Sequence, residues 1–83
     1  MADELHVSSL VVHGRPERLD AISASLSELV GVEVHAAAPN GKLVVTLETE
    51  DEGQIVTRLS TISRLDGVLA ATLVFHQVEQ LKE

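Results

Sequence analysis

The run Val68-Leu69-Ala70-Ala71-Thr72-Leu73-Val74-Phe75 is apolar on both of its alternating faces. Successive side chains of a strand point to opposite sides of a sheet, so such a strand needs cover on both. The rest of the chain offers only two amphipathic helices to provide it. Leu19, Ile22, Leu26 and Leu29 recur at spacings of three and four, as do Ile55, Leu59, Ile62 and Leu65. Two helices cover one face of a small sheet. The other face is left as a surface of small and β-branched residues, and such surfaces often mark binding sites.

The punctuation between these runs gives the order of elements. Leu5 to His13 reads as a strand broken by Gly14-Arg15-Pro16, with Pro16 suited to the first turn of a helix. Gly31 is placed to end that helix in a left-handed cap, and Gly67 closes the second. Val32 to Ala38 and Lys42 to Glu48 are strands around Pro39-Asn40-Gly41, where Asn-Gly is a strong hairpin signal because both residues tolerate positive φ. Thr49-Glu50-Asp51-Glu52 has the spacing of a capping box. The order is β-α-β-β-α-β, with Leu29-Val30-Gly31-Val32 and Leu65-Asp66-Gly67-Val68 as corresponding joints. Right-handed crossovers then predict an α+β, ferredoxin-like sandwich: a four-stranded antiparallel sheet with two helices on one face and the first and third strands central. At 83 residues this is a single domain, 1–83, with an ordered core over about 5–77 and a polar tail, 78–83, expected to fray.

Alternation assigns the faces. Leu43, Val45 and Leu47 are the larger set of the third strand and should meet the helices, with Leu10 and Val12 beside them. Unbroken alternation adds Leu69, Ala71, Leu73 and Phe75 from the last strand. The open face is then Val7, Ser9, Val11 and His13; Val44, Thr46 and Glu48; Ala70, Thr72, Val74 and His76. Hydroxyls alternate with methyls there, and no long cationic side chain shields the surface. A bound helix or extended peptide and an ordinary solvated sheet face both fit this pattern.

Composition narrows the function classes. A net charge of −7, no Trp or Tyr and a single Phe leave little with which to hold phosphates or stack bases, so nucleic acid is not an expected partner. An acidic domain suits a basic partner, and the charge equally serves solubility. With no cysteine, packing alone must hold the fold. No apolar run reaches the length of a membrane helix and Met1-Ala2-Asp3-Glu4 does not read as an export signal, so a cytoplasmic location without membrane insertion is expected. His6 and His13 are an odd number apart on one strand, and alternation sets His76 opposite in face to His6, so no metal site is expected. The serines sit on helix surfaces or inside a strand, and Glu50-Asp51-Glu52 is explained by a helix start. Neither an enzyme nor a resident cofactor is indicated.

Ser8-Ser9-Leu10-Val11-Val12, Pro16-Glu17-Arg18-Leu19 and Gly67-Val68-Leu69-Ala70-Ala71-Thr72-Leu73-Val74-Phe75-His76-Gln77 closely resemble the NapD family, small cytoplasmic chaperones of the periplasmic nitrate reductase. The likeness runs from about Leu5 to Glu79, and Phe75 stands where relatives can carry Tyr. The resemblance implies a chaperone that binds the twin-arginine signal peptide of a NapA-type reductase precursor. Holding that peptide would delay export until the client's own cofactors are loaded. Joined to the face assignment, it implies docking of the peptide's apolar side on Val7, Val11, Val44, Ala70 and Val74. Ser9, Thr46 and Thr72 would supply hydrogen bonds, and His76 completes the row. The arginines would be drawn to Glu48, with Glu79 a further carboxylate. A monomer is compatible with this reading. The alternatives are an ACT-like regulatory module that binds a small molecule, with Gly14 after its first strand, and a subunit that pairs through the open face. A heavy-metal module would need a cysteine pair that the chain lacks.

Overall fold

The computed structural model describes residues 4–80. Strand β1 (Glu4–Gly14) leads through a single 3-10 turn at Pro16–Arg18 into helix α1 (Leu19–Ser27). Strands β2 (Val32–Ala37) and β3 (Lys42–Thr49) form a hairpin, followed by helix α2 (Glu52–Ser63) and strand β4 (Val68–Gln80). The sheet order is β2-β3-β1-β4, with every neighbouring pair antiparallel. This is the ferredoxin-like α+β sandwich the sequence predicts, with β1 and β3 central.

One cluster forms the core: Leu10 and Val12 from β1, Leu43 and Val45 from β3, Ile22 and Leu26 from α1, and Ile62 from α2. Because Leu10 faces Val45 and Val12 faces Leu43 across the ladder, these strand residues share one face, and both helices pack on it. Each large aliphatic side chain buried here stabilises by roughly 1.5–3 kcal/mol before entropy is counted. Both joint glycines adopt the left-handed conformation, Gly31 at φ 81° and Gly67 at φ 91°. A Cβ on Gly31 would stand 2.4 Å from the Glu48 carbonyl oxygen, so this joint admits no side chain.

Three local expectations change. The cap of α2 is Asp51, whose carboxylate accepts from the Gln54 N–H at 2.9 Å, while the Gln54 side chain accepts from the Glu50 N–H at 3.1 Å. The cap thus sits two residues later than the Thr49–Glu52 spacing suggests, and the Gln54 side chain reaches back one residue past the N-cap amide that a capping box uses. Thr49 instead ends β3, buried, with its hydroxyl donating to the Asp51 carbonyl. The β2–β3 connection is a three-residue loop: Ala38 N–H donates to Lys42, Gly41 N–H donates to Ala38, and only Gly41 has positive φ. That is a turn followed by one left-handed residue, not a two-residue hairpin. Residues 78–80, expected in a frayed tail, continue β4, where Glu79 pairs with Leu5 and Gln80 with Glu4. Residues 81–83 lie outside the described residues.

The largest correction concerns β4. Its register against β1 shifts twice, at His13/Gly14 and at Ser9/Leu10. At the first shift Val68 pairs with Gly14 and Ala70 with His13, which leaves Leu69 as an extra residue. At the second, Leu73 pairs with Leu10 but Phe75 with Ser9, which leaves Val74 extra. Each bulge inverts the parity of the residues beyond it. Val68 and Ala71 therefore pack on the core, while Leu69 is 58% exposed and Phe75 55%. Phe75 joins the open face with Ser9, and His76, opposite the buried Ser8, moves to the helix side. Leu73 stays opposite Leu10 but is 42% exposed, since β4 is an edge strand.

Candidate functional site

The open face is assembled by register. Across β3, β1 and β4 its rows are Val44-Val11-Thr72, Thr46-Ser9-Phe75 and Glu48-Val7-Gln77, with Lys42-His13-Ala70 at one end and Leu5-Glu79 at the other. Of the residues expected on it, Val7, Ser9, Val11, Val44, Thr46, Glu48, Ala70 and Thr72 share this face. Val74 is the extra residue of the second bulge, 58% exposed beside Phe75. His76 does not belong to it. Phe75 and Gln77 take the places that unbroken alternation gives to Val74 and His76. Phe75 brings to the face the one phenyl ring of the chain.

The face is electrically lopsided. Glu48 and Glu79 stand toward the Leu5 end, and Lys42 and His13 at the other. A shallow hollow of about 380 Å³ opens beside β2, lined by Val7, Gly31, Val32, Glu33, His35, Thr46 and Glu48. Its lining has two carboxylates and neither Lys nor Arg. A second hollow of similar size shares Glu48 but contains Arg58, whose Nε donates to the Val30 carbonyl at 3.2 Å. A cation is better received in the first. Its floor is set by the joint after α1, since the Glu48 N–H donates to the Gly31 carbonyl at 2.8 Å.

Glu33 and His35 are the residues that sequence reasoning missed here. Glu33 is signalled by its place between Val32 and Val34, which pack on the core. His35 carries no such signal, because it is the extra residue of a bulge between Val34 and Ala36. Its Nε2 lies 2.6 Å from Thr46 Oγ1 and 3.9 Å from Glu33 Oε2. The Thr46 hydroxyl, expected to be free for a ligand, already has a protein partner.

The loop Gly14-Arg15-Pro16-Glu17-Arg18 carries two arginines before a helix, but its amides are committed within the protein. Gly14 N–H donates to the Gly41 carbonyl, Arg15 N–H donates to the Gly67 carbonyl, and the Arg18 side chain pairs with Asp66. Among the described residues no group of three or more His, Cys, Asp or Glu is arranged to hold a metal, and no helix is long and apolar enough to cross a membrane. One expectation about the histidines does fail: His6 and His76 meet, because the second bulge turns His76 to the side of His6.

Comparison with known proteins agrees with this geometry. The family described as NapD protein matches residues 5–80. Chaperone NapD of Escherichia coli K12 is 40% identical over 78 residues, spanning 93% of this chain and 90% of that protein. Chaperone NapD of Paracoccus pantotrophus is 39% identical over 74 residues, 89% of this chain and 65% of the relative. The solution structure of the E. coli Tat proofreading chaperone protein NapD superposes with a TM-score of 0.86 at 37% identity, covering 100% of this chain and 88% of that one. A Pyrococcus furiosus transcriptional regulator of the AsnC family shares the fold alone, at 19% identity and a TM-score of 0.58, with 99% of this chain and 53% of the regulator covered. The relatives are chaperones and not enzymes, and likeness to regulatory modules stops at topology. With a matching family pattern over nearly the whole described length, this chain belongs to the NapD family of chaperones.

Proposed function

We propose that this chaperone holds the twin-arginine signal peptide of a NapA-type nitrate reductase precursor on its open sheet face in the cytoplasm, and so delays export until the client's cofactors are loaded. The observation that carries the reading is the pairing of an uncovered apolar surface with an acidic hollow at its rim. Such a peptide is basic at its start and mildly apolar after it. Its arginines fit the hollow lined by Glu33 and Glu48, since carboxylates are the groups that guanidinium forks pair with best. Its apolar stretch then runs over Val11, Val44, Ala70, Thr72 and Phe75, with Val7 and Ser9 beneath the junction. Leu5 to His13 is about 27 Å of strand at roughly 3.4 Å per residue, a length that about 18 residues of helix would span. The description of the E. coli relative as a Tat proofreading chaperone supports the same partner class.

Titration of the purified protein with a synthetic twin-arginine signal peptide tests the reading. Saturable binding is expected, weakened when both arginines are replaced by glutamine and weakened again by added salt. Val44→Lys should abolish it while leaving the melting temperature unchanged, because Val44 is 45% exposed and the substitution sets a cation on the docking face. Equal binding of the native and glutamine peptides would remove the role given to Glu33 and Glu48.

A further inference from the structure

The second bulge creates a side-chain cluster outside the docking face. On the helix side, His6 Nδ1 and His76 Nε2 are 3.0 Å apart, with ring centres 5.2 Å apart and ring planes within 17°. A contact that short between centres that distant requires both nitrogens to lie between the centres. The rings therefore meet nose to nose, almost in one plane. Two lone pairs cannot point at each other across 3.0 Å, so a single hydrogen stands between them. A metal does not fit instead. Zinc–nitrogen bonds of about 2.0–2.1 Å need donors that converge on a point off the line joining them.

Glu4 decides which ring carries that hydrogen. Its Oε1 lies 3.4 Å from His6 Nε2, and a carboxylate there favours N–H over a lone pair. A neutral imidazole has one hydrogen, so His6 Nδ1 is the acceptor and His76 Nε2–H the donor. The Gln80 amide donates to the other Glu4 oxygen at 3.2 Å. The chain Gln80, Glu4, His6, His76 thus begins and ends on β4, and both ends lie beyond the second bulge.

We infer that Glu4, His6 and His76 form a proton-responsive staple that fixes the far arm of β4 and positions Phe75 on the open face. The part concerning Phe75 rests on the peptide-docking reading above. A proton at His76 Nδ1, on the exposed ring, leaves the N–H···N contact intact and charge-assisted. A second must enter at His6 Nδ1, where the His76 hydrogen already stands. It breaks the contact and sets two cations side by side, one of them the 4% exposed His6 ring.

The surroundings do not replace Glu4 as counter-charge. On β3 the neighbour of His6 is Thr49, and its hydroxyl is committed to the Asp51 carbonyl. On α2, the Asp51 carboxylate accepts from Gln54 and Glu52 is exposed, and neither pairs with either ring. On β1, Ser8 is neutral, and on β4 Glu79 lies on the opposite face beside Gln77.

Imidazole nitrogen NMR on the whole chain, joined to amide exchange from pH 8 to 5, tests this. The expected spectrum shows His6 as the Nε2–H form at high pH and through the first protonation. Amides of Phe75–Gln80 should then lose protection about tenfold more than those of Ala70–Leu73 as the second proton binds, the effect of one charge-assisted hydrogen bond. His76→Gln, at an exposed position, should fold normally and remove that difference. Glu4→Gln should shift His6 toward its Nδ1–H form. An Nδ1–H tautomer of His6 in the unaltered protein, or arm protection with the same pH profile in His76→Gln, would overturn the staple. Neither readout involves a peptide, so its failure is distinct from failure of the docking reading.

Discussion

Strands β3 and β4 both lie against β1, yet only one of them obeys simple alternation. β3 reads buried, exposed, buried from Leu43 to Thr49, and its ladder to β1 runs from His6 to His13 without a shift. β4 carries one extra residue, Val74, within that span of β1 and a second, Leu69, just past its end. The difference follows from position. β3 is hydrogen-bonded on both sides and covered by helices, so a slip would turn Leu43, Val45 and Leu47 out together. β4 has one free edge, and an extra residue there needs to satisfy only one neighbour. Bulges on an edge also blunt its tendency to pair with other chains. The strand with the strongest apolar signal is thus the one whose faces the signal assigns least well.

Single-residue deletions make the widest separation between the two. Removing Thr46 sets Val45 beside Leu47, so either Leu47 or the Leu43–Val45 pair must leave the core. At roughly 1.5–3 kcal/mol for each side chain, plus disrupted packing, that should consume most of a stability of about 5–15 kcal/mol. Loss of a cooperative thermal transition is expected. Removing Val74 leaves Leu73 opposite Leu10 and Phe75 opposite Ser9, so every face assignment survives. Circular dichroism should show a melt close to that of the intact chain. Equal damage from both deletions would mean that Val74 is no spare residue.

Neighbouring truncations within β3 come next in size. Leu43 is fully buried, and Leu43→Ala should cost about 2–5 kcal/mol in denaturant unfolding. Val44→Ala, one position away on the open face, should stay within about 0.5 kcal/mol.

Phe75 then tests β4 directly. Unbroken alternation makes it a core ring whose truncation would cost about 3–5 kcal/mol. At 55% exposure on the open face, Phe75→Ala should cost under about 1 kcal/mol. It should nonetheless weaken signal-peptide binding by about tenfold or more, as loss of an aromatic anchor does. A large stability loss with unchanged affinity would return Phe75 to the core.

How much of this was legible depends on where each residue's constraint originates. Leu19, Ile22, Leu26 and Leu43, Val45, Leu47 announce themselves because local periodicity and burial agree. Gly31 and Gly67 do so because a positive φ at a helix end selects glycine. From these the fold and nine of the eleven expected open-face residues follow, with Val74 left at a bulge and His76 turned away. Phe75, His76 and His35 were not legible, since each lies at or beyond a bulge whose presence depends on the partner strand. His6 and His76 are 70 positions apart, and the parity change that brings them together leaves no mark in the local pattern.

The smallest effect probes the strand between the two. Ser8 is fully buried on β1, with Leu47 of β3 on one side and His76 of β4 on the other. Its Oγ is the one buried side-chain oxygen or nitrogen among the described residues without a hydrogen-bond partner. An unsatisfied buried hydroxyl carries a desolvation penalty of about 1–3 kcal/mol, and alanine, with hydrogen in place of the hydroxyl, removes that penalty at the loss of one oxygen's packing contacts. Ser8→Ala should therefore raise stability by up to about 1 kcal/mol, a rise of roughly 4–8 °C in melting temperature for a domain of this size. Ser9→Ala, on the half-exposed open side, should leave it unchanged. If Ser8→Ala lowers the melting temperature instead, the hydroxyl has a partner, and its nearest candidate across the ladder is the end of β4 that the staple holds.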